Sequence, residues 1–126
     1  KIDWKASARN QLAQMGFNFI IFAKAYPYFF EALFIKFPFK YIKVTQDTIS
    51  LDSELPGFAA FKRIVLELRK EEGFTNSEAE TLFHFWSFIS GLAVLANSPI
   101  GRDLDNKAIQ TNIEHMLDVY IKGERS

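Results

Sequence analysis

Residues 82–96, LFHFWSFISGLAVLA, hold only three polar side chains in fifteen positions, His84, Ser87 and Ser90. Helix signals flank the run on both sides. A surface helix carries a polar face, so a helix apolar all round needs partners on at least two sides: a core and a second subunit, or a core and a ligand. The run therefore points to an interface or a pocket. Gly91 sits inside it, and glycine within a helix costs about 1 kcal/mol relative to alanine. Close approach of another helix is the simplest reason for it.

The chain has 126 residues, enough for one domain with one substantial core. Hydrophobic residues at 48% and charged residues at 24% give an ordinary globular composition. The aromatic share is unusual in kind, since 14 of the 20 aromatic residues are Phe. Such side chains supply large buried area without a polar tip to satisfy. There is no cysteine, which excludes disulfides and thiolate metal sites and suits a reducing, cytoplasmic setting. No secretory signal is visible, and the fifteen-residue run falls short of a membrane span, so no membrane partner is expected. The chain begins at Lys1 without an initiator Met, as a fragment or processed product would.

The formal charge is zero, which leaves no broad basic footprint for gripping nucleic acid. Residues 1–70 carry eleven Lys/Arg against six Asp/Glu, and residues 71–126 carry four against nine. This fits an N-terminal half facing something acidic, or simply two solvated faces.

The helical period predicts four substantial helices. The first runs from about Asp3, a candidate N-cap, to Tyr26, with Trp4, Ala8, Leu12, Met15, Phe19, Phe22 and Tyr26 on one face and Pro27 ending it. A short helix, Tyr28 to Lys36, follows with Phe29, Leu33 and Phe34 inward. Residues 37–54 show partial alternation that would allow a hairpin. No Asn-Gly or Asp-Gly turn separates the halves, so the stretch is read as loop with at most one helical turn. The next helix opens near Leu55 with Pro56 in its first turn, presents Phe58, Phe61, Val65 and Leu68, and ends at Gly73 with Phe74 in the accompanying contact. Thr75 and Ser77 each have Glu three residues on, so either can form a capping box for a helix running to about Asn97. The last helix starts at Asp103 or Asp105 and ends at Lys122, with Ile109, Ile113, Met116, Leu117, Tyr120 and Ile121 as its apolar stripe. The fold class is all-α, a bundle of about five helices in a single domain, 1–126.

Catalysis has little support. No phosphate loop, nucleophile elbow or carboxylate pair in an apolar helix is present. Glu80 with His84, and Glu114 and Asp118 beside His115, could be drawn as a carboxylate-bridged metal site, but they lack the ligand set such bundles use. The expectation is no enzyme, no metal and no cofactor. Asn18, alone among apolar neighbours, is either a hydrogen-bonding group lining a cavity or an amide bonded to backbone or buried water. Ser87 and Ser90 fit hydroxyls bonded back to the carbonyl four residues earlier. Trp86 reads as core or pocket wall.

The order of segments is familiar. FNFIIFAKAYPYFFEALF, residues 17–34, resembles the signal-receiving domain of TetR-type transcriptional regulators through Phe22, Ala23, Pro27, Phe30 and Phe34. WSFISGLAVL, residues 86–95, resembles the Trp-x-x-x-His-Gly signature of one branch of that family; Trp86 and Gly91 match, and Ser90 replaces the His. The resemblance implies an effector-binding and dimerisation domain whose N-terminal helix-turn-helix is absent from this chain, so that DNA would be reached only through that missing reader. It implies a homodimer in which residues 75–97 and 105–122 pair with their copies in a four-helix interface. Phe88, Gly91, Leu95, Ile113, Met116, Leu117 and Tyr120 are the expected interface residues. A pocket for a small apolar effector is expected between the first helix, the Leu55–Glu72 helix and the inner side of the Trp86 helix, lined by Asn18, Phe19, Phe22, Phe61, Val65, Phe83 and Trp86. The rival readings are a helical protein-protein adaptor and a small carrier of hydrophobic ligands with no DNA-binding role.

Overall fold

A computed structural model of the chain describes residues 2–31, 42–44, 49–51, 58–99 and 101–125. Five α-helices dominate them: α1 (Ala8–Ala25), α2 (Pro27–Glu31), α3 (Phe58–Glu72), α4 (Glu78–Ala96) and α5 (Asn106–Glu124), with a 3-10 turn at Gly101–Asp103. The expected all-helical bundle is the observed architecture. One element departs from it: β1 (Ile42–Val44) and β2 (Ile49–Leu51) pair antiparallel, Ile42 opposite Leu51. β1 and β2 thus pair as strands within a stretch read as loop, without an Asn-Gly or Asp-Gly in the sequence between them. The expected helix from Tyr28 to Lys36 is described only as far as Glu31, and Leu33, Phe34, Pro38, Leu55 and Pro56 lie outside the described residues.

The central helix is α1, which packs against α3, α4 and α5. Its fully buried face is built from Ala8, Leu12, Ala13, Gly16, Ile20 and Ala23, not from the aromatic residues. Small residues let three helices approach one axis, and Gly16 shows how closely: a Cβ there would meet Ile89 Cδ1 at 2.8 Å and Ile113 Cγ2 at 3.7 Å. Phe19 and Phe22 are pushed to the flanks as half-buried rings. The helix starts later than expected. Ser7 is its N-cap and accepts from the Asn10 amide, while Asp3 instead organises a turn in which its Oδ1 accepts from the Lys5 amide at 3.0 Å. Trp4 is consequently outside the helix, half-exposed, with the Arg63 guanidinium 4.9 Å from its ring centroid. The buried Gln11 donates to the Ala6 carbonyl at 2.8 Å and fastens this turn.

Helix ends elsewhere follow their caps. Gly73 has φ 65°, a left-handed conformation that glycine alone adopts without penalty, and the Phe74 amide donates to the Arg69 carbonyl at 3.1 Å, closing a Schellman turn. Phe74 is buried, as that motif requires. The box at the start of α4 uses Ser77 rather than Thr75: Ser77 Oγ accepts from the Glu80 amide at 3.1 Å and Glu80 Oε1 accepts from the Ser77 amide at 3.2 Å. Asp105, not Asp103, caps α5, whose last turn runs through Gly123 to Glu124. The core joins Ile20, Ile64, Val65, Leu68, Leu82, Phe85, Ile109, Ile113 and Leu117 from four helices.

Hydrogen bonds from Ser77, first the backbone amide and then the hydroxyl, hold the Glu80 carboxyl below its usual range. A depressed carboxylate stabilises the fold above its unfolded pKa and loses that contribution as pH falls through the folded one. Ser77→Ala is expected to destabilise the domain by about 1 kcal/mol at neutral pH, and Glu80→Gln to flatten the acid limb of stability below about pH 4, both checked by denaturant melts across pH.

Candidate functional site

Two surfaces were expected to carry function, the face of the last two long helices and an interior aromatic pocket. On α4 the exposed residues Phe83, His84, Ser87, Gly91, Val94 and Leu95 recur at helical spacing and share one face. Phe83 is 54% exposed and Leu95 52%. A Cβ built on Gly91 meets nothing within 4 Å, so no helix among the described residues accounts for the glycine. On α5 the exposed apolar side chains are Met116 and Val119. Phe88 is half-buried and packs against the core.

Three residues expected in the interface make contacts within the subunit. Ile113 and Leu117 are buried at 2% and 3% exposure because they form the stripe by which α5 packs on its own bundle. Tyr120 is half-buried and ties α5 to α4 within the chain. Its ring stacks on Phe85 at 4.6 Å and meets Phe74 edge-on at 5.5 Å. Its hydroxyl lies 2.8 Å from His84 Nδ1 and accepts from Asn76 Nδ2 at 2.6 Å, and Asn76 Oδ1 in turn accepts from the buried Thr81 hydroxyl at 2.8 Å. Burial pushes the Tyr120 phenol up, with the Asn76 hydrogen bond acting in the opposite direction. A phenol whose folded pKa is raised favours the folded state below its unfolded value, near 10, and that contribution is lost as pH rises further. Alkaline unfolding monitored by circular dichroism is therefore expected to begin at higher pH in Tyr120→Phe than in the parent.

The expected pocket is divided by the fold. Val65 is fully buried, Phe61 and Trp86 pack edge-to-face at 6.1 Å, and Phe19 meets Phe30 at 5.7 Å. Phe22 lies with Tyr26 and Phe29 at the α1–α2 corner, where Tyr28 and Phe29 are exposed and Phe30 alone of α2 is buried. Phe29 therefore does not face inward; the inward position of α2 is Phe30. Phe83 points outward and cannot line an interior cavity. Asn18 lies on the side of α1 that faces α5, away from α3.

The groups considered for metal binding are otherwise engaged. Arg9 holds Asp118 through its Nε and Nη2 at 3.0–3.1 Å and Glu114 through Nη1 at 3.0 Å, joining α1 to α5. Glu80 belongs to the capping box and His84 to Tyr120. No group of three or more His, Cys, Asp or Glu residues poised for a metal occurs among the described residues. The apolar run of α4 is part of a 19-residue helix which, by length and composition, suffices to cross a bilayer. Its buried side, Thr81, Leu82, Phe85, Ala93 and Ala96, packs into the bundle.

No family model matches the chain. No curated protein and no solved structure matches it either.

The signal that could have separated Phe83 from Phe85 lies in the neighbouring polar positions. Glu80, His84 and Ser87 mark the outward face, and Phe83, Gly91 and Val94 share it. Val94, missed as a surface residue, follows from the same stripe.

Proposed function

We propose that the chain is a dimerising, effector-responsive domain of a cytoplasmic TetR-like transcriptional regulator. The observation that carries the dimer is the outward apolar stripe of α4 with a glycine that nothing among the described residues requires. An exposed contiguous apolar face on a bundle is a normal mark of an association site. In an isologous pair the same stripe serves both subunits, and Gly91 lets the two α4 axes approach at the crossing. Met116 and Val119 extend the face onto α5.

The effector and DNA parts of this reading come from the resemblance in residues 17–34 and 86–95. In this reading the half-buried Phe61–Trp86 pair is where a small apolar effector would rest. An effector that binds one arrangement of the subunits better shifts the population toward it, by no more than its differential affinity. The attached readers would then change spacing.

Size-exclusion chromatography with light scattering tests the dimer. A mass of twice 14.5 kDa is expected for the parent, and a folded monomer for Leu95→Glu with Met116→Glu. A parent monomeric at high micromolar concentration would refute it.

A further inference from the structure

We infer that the cleft between the first half of α1 and the middle of α5 is a binding site for a small, uncharged, hydroxyl-rich molecule such as a sugar or polyol. The cleft has a volume of about 510 Å³, a size suited to small-molecule ligands. Its lining is made of planar polar groups around one aromatic ring, Phe17. Arg9 and Glu114 supply one charge of each sign, already paired at 3.0 Å, so the lining asks for no charged ligand.

The orientation of two amides is determined by their partners. The Asp3 backbone N–H can only donate, and it reaches Gln14 Oε1 at 2.8 Å; the Arg9 guanidinium can only donate, and it reaches Asn10 Oδ1 at 2.9 Å. Both amides therefore keep NH2 groups with no partner among the described residues. Glu114 bonds Arg9 through Oε1, which leaves Oε2 as an acceptor. Asn18 and Gln110 add one donor group and one acceptor each from opposite walls. Donors and acceptors are thus mixed along the cleft, a pattern that hydroxyls, each able to give and to accept, satisfy in any order. Ala6, Ala13 and the Phe17 ring offer an apolar strip for the carbon-bearing face of the same molecule.

The site draws on α1 and α5 rather than on the aromatic flank, and it stands whether or not the chain dimerises. Nuclear magnetic resonance titration of the labelled chain with glucose, galactose, trehalose and myo-inositol tests it, with hexanoate as an apolar control. At least one of the four is expected to shift backbone amides of residues 6–18 and 110–114 together, saturably, at millimolar or lower concentration. Asn18→Ala with Gln110→Ala should weaken that binding at least tenfold while leaving the melting temperature and the α3 resonances unchanged. Gln110→Ala alone, on an exposed helix position, serves as the second variant if the double one loses structure. No saturable shift with any of the four, shifts elsewhere on the surface, or shifts that the variants leave unchanged would overturn the assignment.

Discussion

Alanine at position 101 is expected to destabilise the domain by about 3 kcal/mol, near the top of the usual range for overpacking, and to lower the melting temperature by about 10 °C. Gly101 is buried in the 3-10 turn that folds back on the end of α4. A Cβ there would fall inside the Leu95 carbonyl oxygen, 2.6 Å from the Leu95 carbonyl carbon and 2.8 Å from Ala96 Cα. These are backbone atoms, so relief requires moving the turn or the last turn of α4. The turn itself is fastened by the Gly101 amide to the Ser98 carbonyl and by the Leu104 amide to the Gly101 carbonyl, each at 3.0 Å. The other helix-associated glycines should behave differently. At Gly16 the obstacle is the far end of the Ile89 side chain, so Gly16→Ala trades a rotamer change against a helix-propensity gain and should shift stability little. At Gly91 space is open, so Gly91→Ala should stabilise the isolated subunit by about 1 kcal/mol yet weaken self-association if a partner helix crosses there. Thermal melts of the three variants, read beside their masses in solution, check the series. A Gly101→Ala protein that melts with the parent would remove the close-approach argument.

Phe85→Ala is expected to destabilise by about 3–5 kcal/mol, the range for deleting a buried aromatic ring. The ring is 5% exposed and rests on Tyr120, so its loss opens a cavity where α4 meets α5. Phe83→Ala, two residues earlier on the same helix, should change the subunit's stability by no more than about 0.5 kcal/mol, because that ring is more than half in solvent. Its effect belongs to association instead. Urea melts give the first comparison, and dilution series by light scattering give the second. Equal losses of stability in the two variants would contradict the facing of α4 described above.

That pair of phenylalanines marks the limit of sequence reading in this chain. Where a helix has a polar face, as α5 has, the apolar spacing correctly placed Ile109, Ile113, Leu117 and Ile121 inward. The further step of assigning Ile113 and Leu117 to a subunit interface failed, since one stripe cannot serve both the core and a partner. On α4 periodicity carries no direction at all, and His84 and Ser87 are the only local hints. The α1 error has a different origin. Periodicity puts Met15, Phe19 and Phe22 on the buried face, whereas a helix contacted by three others places small residues, Ala13, Gly16 and Ala23, at the centre. Asn18 then falls on the α5 side, not in the aromatic interior.

Local chemistry determined the element order of this protein. Proline at 27, the glycine with positive φ at 73, the Ser77–Glu80 box and the Asp105 cap act over three or four residues, and such short-range signals are written in the chain itself. Composition and period likewise determined a mainly helical domain with one apolar core, a core the structure fills chiefly with Ile, Ala and Leu. The tertiary structure alone decided which sides of α1 and α4 are inside, which acidic residues Arg9 holds, and that Tyr120 joins α5 to α4. Those outcomes depend on contacts between residues up to 109 positions apart in the chain, and no local pattern specifies which distant surface a given face will meet.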